Sequence, residues 1–113
     1  MGASLGSAVI VSTPSTRRLY AERWAEILRA VGAQYEVVAD IEVCDPGAVR
    51  AVLERYRPDL LVAAGGDGTT NLCVQAVGPA DVLAVLPLGT ANDLRRGLQS
   101  GLTSVQSIDR IEV

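Results

Sequence analysis

Residues 65–71 read GGDGTTN, and residues 88–93 read LGTAND. Each follows a short apolar run, and each leads into polar residues of the kind that start a helix. Glycine lets a backbone approach a phosphate closely and turn with positive φ, while a following helix offers unpaired N–H groups and the positive end of its dipole. Gly65, Gly66 and Gly68 supply such a turn. Thr69 and Thr70 can cap the helix or donate hydroxyls to phosphate oxygens. Asp67 is the odd member. A carboxylate beside phosphates is repelled unless a divalent cation or a proton lies between them, so Asp67 either faces a metal or accepts N–H groups within its own loop. Asp93 has a comparable pair of uses, as the cap of the segment LRRGL or as a ligand contact. A tight strand-to-helix turn with no ligand would also use glycine. Three glycines with an aspartate and a threonine, matched by a second such segment, favour a phosphate site.

Composition removes much other chemistry. All ten basic residues are arginine, and lysine and histidine are both absent. Without lysine there is no Walker A motif and no Schiff base; without histidine there is no Ser-His-Asp triad and little prospect of a zinc site. A formal charge of −3 argues against a nucleic-acid surface. Arg17, Arg18, Arg95 and Arg96 are the nearby candidates for a cationic clamp, and at most one is expected to serve. Cys44 and Cys73 form no CxxC pair and read as reduced thiols, which suggests a cytoplasmic protein. No stretch approaches the ~18 consecutive apolar residues of a transmembrane segment.

The elements that must hold these loops follow from periodicity. With 113 residues and 49% hydrophobic content, the chain supports one α/β domain. Residues 8–11 form a first apolar run, closed by STPST. Tyr20, Trp24, Ile27, Leu28 and Val31 recur at helical spacing, with Gly32 placed as a left-handed cap. Residues 35–39 read as a second strand. Asp45 before Pro46 caps a second helix with Val49, Val52, Leu53 and Tyr56 on its buried stripe, and Arg57-Pro58 stops it. Residues 60–64 are apolar throughout, as in a central parallel strand. A third helix is expected from about 70 to 77, a buried strand over 82–86, and a strand-like tail over 104–113. The expected fold is a small doubly wound, Rossmann-like parallel sheet with helices on both faces, about four strands wide. Ligands of such sheets bind beyond the carboxyl ends of the strands, which is where both glycine segments fall.

GGDGTTN followed by LPLGTANDLRRGL in this order and spacing resembles the catalytic domain of diacylglycerol kinases, especially the bacterial lipid kinases similar to them, with sphingosine kinases more distant. GGDGT alone would also fit the NAD kinases and, more loosely, the phosphofructokinases. Members usually carry Asn-Pro and then Ser-Gly after the first strand; Thr13-Pro14-Ser15-Thr16-Arg17 keeps the proline and hydroxyls without the Asn or the Gly. A Glu that often follows the Asn of GGDGT-x-N is Leu72 here.

The resemblance implies ATP and Mg2+ as cofactors and a lipid hydroxyl such as that of diacylglycerol as acceptor. Gly65, Gly66, Asp67, Gly68, Thr69, Thr70 and Asn71 would hold the nucleotide phosphates. Thr90 and Asn92 would complete the site beside Asp93, Thr13, Ser15 and Thr16 would line its edge, and Asp67 would sit near the metal. It further implies a second, β-rich domain beyond Val113 that binds the lipid and supplies the base, so no catalytic residue is expected within these 113 residues and the chain alone is expected to be weak or inactive. The full-length kinase would work peripherally at a membrane. Ile108, Ile111 and Val113, on a tail strand without a partner, suggest self-association. An NAD kinase-like enzyme and a non-enzymatic nucleotide-binding module remain the alternatives.

Overall fold

The computed structural model describes residues 6–88. Strand β1 (Ser7–Ser12) leads into helix α1 (Pro14–Leu19), and a 3-10 turn at Ala21–Arg23 leads into α2 (Trp24–Gly32). Then follow β2 (Glu36–Glu42), α3 (Pro46–Tyr56), β3 (Leu60–Gly65), α4 (Asp67–Ala76) and β4 (Leu83–Pro87). The strands form one sheet in the order β2-β1-β3-β4, and every pairing is parallel. The doubly wound α/β sheet expected from the sequence is therefore the fold observed.

Strand side chains alternate faces, so each central strand feeds two cores. Ala8 and Ile10 of β1, with Leu60, Val62 and Ala64 of β3, meet Trp24, Ile27 and Val31 of α2 on one side. Val9, Val11, Leu61 and Ala63 meet Val49, Val52 and Leu53 of α3 and Cys73 and Ala76 of α4 on the other. This is why residues 60–64 show no polar alternation. Strand β2, at the sheet edge, alternates between exposed and half-buried over residues 36–39, and it extends to Glu42 rather than stopping near Ala39.

Helix boundaries depart from expectation at three places. The STPST segment is not a plain loop: Pro14 opens α1, and the Thr13 hydroxyl caps it by accepting from the Thr16 N–H at 3.4 Å. Gly32 does not end α2 in a left-handed turn. It stays helical, and Ala33 closes the helix in a right-handed conformation. Helix α4 begins at Asp67 instead of Thr70, so most of the supposed glycine loop is the first turn of a helix. At α3 the reading holds: Asp45 accepts from the Ala48 N–H at 2.8 Å, and Arg57 leaves the helix at φ 44°, ψ 55° before Pro58.

Candidate functional site

Chain connectivity reverses direction between β1 and β3. From β1 the chain winds to β2 on one side, then crosses back to β3 and β4 on the other. The crevice at such a reversal, beyond the carboxyl ends of the strands, is where open α/β sheets hold ligands, because the two diverging connections leave space there. In this chain the crevice is flanked by Thr13 at the end of β1 and by Gly65 and Gly66 at the end of β3.

Gly65 is the fixed point of the site. Its φ is +156°, and a Cβ there would stand 2.5 Å from Thr69 Oγ1, 3.0 Å from Thr69 Cβ and 3.3 Å from Thr16 Oγ1. The backbone of β3 is thereby pressed against α4 on one side and α1 on the other, a geometry only glycine allows without displacement. Gly66 and Gly68 differ. A Cβ on either would meet nothing within 4 Å, so neither is demanded by packing, and both leave backbone open to the crevice. Gly66 is the N-cap of α4 and, as a glycine, brings no side-chain acceptor to the first N–H groups. These N–H groups and the dipole behind them are the elements of an anion site.

The remaining residues surround that turn. Asp67 occupies the first position of α4 and is exposed, and among the described residues its carboxylate accepts no hydrogen bond. It therefore does not serve as an internal acceptor for described N–H groups of its own turn. Thr69 is buried against Gly65, whereas the Thr70 hydroxyl donates back to the Gly66 carbonyl at 3.2 Å, and Asn71 is exposed. An open groove along the start of α4 is lined by Asp67, Gly68, Thr70, Asn71 and Val74. On the β1 side, Thr13 Oγ1 lies 3.2 Å from Ser15 Oγ and 3.1 Å from Thr16 Oγ1, which makes a cluster of three hydroxyls. The fold thus brings Thr13, Ser15 and Thr16 to the same rim as Gly65 to Asn71. A second concavity, lined by Arg50, Glu54, Arg57 and Asp81, lies at the opposite ends of the strands and has no part in this rim.

The second glycine segment starts beside the first. Gly65 pairs with Pro87 across the β3–β4 ladder, and the Leu88 N–H donates to the Gly65 carbonyl at 3.2 Å. Thr90, Asn92 and Asp93 themselves lie outside the described residues, as do Arg95, Arg96 and the 104–113 tail. Arg17 is engaged: its guanidinium holds Asp40 of β2 at 3.2 Å and stacks over Trp24. Arg18 is exposed. Cys73 is fully buried, and burial pushes its thiol up to about 12, so it is no nucleophile at neutral pH.

Two features beside this rim were not legible in the sequence. Ser12 closes β1 with its hydroxyl completely buried and without a hydrogen-bond partner among the described residues. Tyr20, read as part of a helical stripe, sends its hydroxyl to the Leu88 carbonyl and so ties the end of α1 to the start of the second glycine segment. A hydroxyl ending an otherwise apolar run was the available signal for Ser12. Tyr20 gave none.

Residues 7–112 match the model of the diacylglycerol kinase catalytic domain. The chain belongs to the diacylglycerol kinase catalytic domain family. A diacylglycerol kinase of Bacillus subtilis is 35% identical over 96 residues, covering 80% of this chain and 32% of that protein. One from Staphylococcus aureus is 46% identical over 54 residues, covering 45% of this chain and 16% of that protein. A solved structure from Bacillus anthracis superposes with a TM-score of 0.65 at 18% identity over 93% of this chain and 43% of that one, which supports the fold. The chain thus spans about a third or less of the length of these curated relatives. Among the described residues no helix is long and apolar enough to cross a membrane.

Proposed function

We propose that this chain is the ATP-binding part of a lipid kinase that transfers the γ-phosphate of ATP to a lipid hydroxyl such as that of diacylglycerol. The observation that carries the reading is the start of α4, where glycines free of packing duty leave N–H groups open at the reversal point of the sheet, in a chain of the diacylglycerol kinase family. In this reading the Gly66–Thr69 backbone receives the phosphates, and the hydroxyls of Ser15 and Thr16 line the facing edge.

Mg2+ fits the donor set. Among the described residues no group of three His, Cys, Asp or Glu side chains could cage a metal. Magnesium bound with a nucleotide needs no cage, since it takes one or two carboxylates, phosphate oxygens and water. Asp67, exposed at the phosphate end of α4 and accepting no described hydrogen bond, is the residue that would face it. The ion would neutralise charge on the transferring phosphate. What the chain itself does is bind and orient: helix N–H groups fix the donor phosphates, and Asp67 offsets the metal's charge. The acceptor lipid and the base belong, in this proposal, to parts outside the described residues, and the 113 residues alone should turn over slowly or not at all.

Calorimetric titration of the chain with ATP and Mg2+ tests the reading. Saturable binding of ATP that Gly68→Ala weakens at least about tenfold is the expected result. Preference for NAD over ATP would move the chain to an NAD kinase-like activity, and normal phosphorylation of diacylglycerol by these residues alone would remove the need for a second domain.

A further inference from the structure

Helix α1 carries Ser15 and Thr16 to the phosphate rim, yet it has six residues and buries none of them. A helix so short has no stability of its own in water. Its Thr13 cap is long, at 3.4 Å, and cannot hold it alone. Two tethers remain, one at its end through Tyr20 and Leu88 and one at its middle through Arg17.

The middle tether converges on one carboxylate. Asp40, on edge strand β2, accepts from Arg17 Nη1 at Oδ1 (3.2 Å), lies 3.2 Å from Arg17 Nη2 at Oδ2, and accepts the Trp24 indole N–H at Oδ2 (2.7 Å). The Arg17 guanidinium lies 4.6 Å from the Trp24 ring centroid. The Asp40 side chain is 16% exposed, so this is a shielded, two-pronged pair and not a solvated surface contact. Thr16, the neighbour of Arg17, brings its hydroxyl to 3.3 Å from a Cβ placed on Gly65.

We infer that Asp40 is a positioning residue for the nucleotide rim: by clamping Arg17 and Trp24 from β2, it sets α1 so that Ser15 and Thr16 face the phosphate turn at Gly65. The inference rests on the nucleotide reading proposed above. It also assigns Arg17 to the clamp, which removes it from the candidates for direct phosphate contact.

Trp24 is the chain's one tryptophan, so its emission reports on this cluster directly. The test compares the wild-type chain with Asp40→Asn, following Trp24 emission, thermal unfolding, and binding of ATP and of adenosine with Mg2+ present. Expected are a shifted Trp24 emission and about tenfold weaker ATP binding, the scale of losing charged hydrogen bonds, with adenosine affinity unchanged. General loosening of the fold would instead weaken both ligands alike, and that outcome overturns the inference. So does ATP binding within about twofold of wild type. Tighter ATP binding also overturns it, because an Arg17 freed from Asp40 would then be acting as a phosphate ligand. Should Asp40→Asn fail to fold, Asp40→Glu takes its place under the same criteria. Absence of ATP binding by the wild-type chain sinks the nucleotide reading and this inference together, whereas wild-type binding that Asp40 variants leave untouched sinks only the inference.

Discussion

Helices α3 and α4 both begin at the carboxyl edge of the sheet with an aspartate at the start, and they use it in opposite ways. At α3 the aspartate precedes the helix, Asp45 accepts the Ala48 N–H at 2.8 Å, and Pro46 removes a further N–H from need. That end is closed by its own side chains. At α4 a glycine stands in the cap position, Asp67 has moved one place into the helix, and its carboxylate accepts no described hydrogen bond. An N-terminus whose first N–H groups have no side-chain cap is completed by water or by a ligand. The first arrangement serves folding and the second keeps donors available, which is what a phosphate site requires.

The largest effect that would sharpen this contrast falls on Gly65. Gly65→Ala places a Cβ 2.5 Å from Thr69 Oγ1 at a φ of +156°, so Thr69 or the strand end must shift. A loss of about 2–4 kcal/mol in unfolding free energy is expected, the combined scale of overpacking and backbone strain. Chemical denaturation measures it, and a loss below about 1 kcal/mol would mean the strand–helix contact is looser than drawn.

Gly68→Ala should do the reverse. It meets nothing within 4 Å, and replacing glycine in a helix gains about 0.5–1 kcal/mol. Stability should hold or rise while ATP affinity falls at least about tenfold, because the added methyl stands where phosphate approaches. A variant that lost stability and binding together would erase the distinction between Gly65 as a packing glycine and Gly68 as a binding glycine.

The fold and this distinction were legible to different degrees. Apolar runs at 8–11, 60–64 and 82–86 identified the parallel strands because burial on both faces leaves no polar alternation to confuse with helix. The GGDGTTN motif marked the junction where β3 passes into α4. Helix starts were harder to read: glycine at 66 and 68 has poor helix propensity, and only the tertiary packing of Thr69, Cys73 and Ala76 makes Asp67–Ala76 a helix from its first residue. Gly32 is the mirror case, since the helix closes through Ala33 and needs no left-handed residue. The Asp40 clamp joins residues 23 and 16 positions apart, and such contacts carry no local signal.

A smaller effect separates the two aspartates. Asp45→Ala should cost about 1 kcal/mol of stability, the usual value of a side-chain cap, with no change in ATP binding. Asp67→Asn should cost only a few tenths of a kcal/mol, since it removes a charge near the helix dipole but no described hydrogen bond. Its consequence should appear elsewhere. With Mg2+ present wild-type affinity for ATP should exceed that measured in chelator, and Asp67→Asn should narrow this gap, because the carboxylate that offsets the cation is gone while the backbone donors remain. If the gap is unchanged, Asp67 does not face the metal, and its exposed carboxylate merely complements the positive end of α4. If Asp67→Asn destabilises as much as Asp45→Ala, the two helix starts are alike after all, and the open N-terminus of α4 is a structural cap whose acceptor is Asp67 itself.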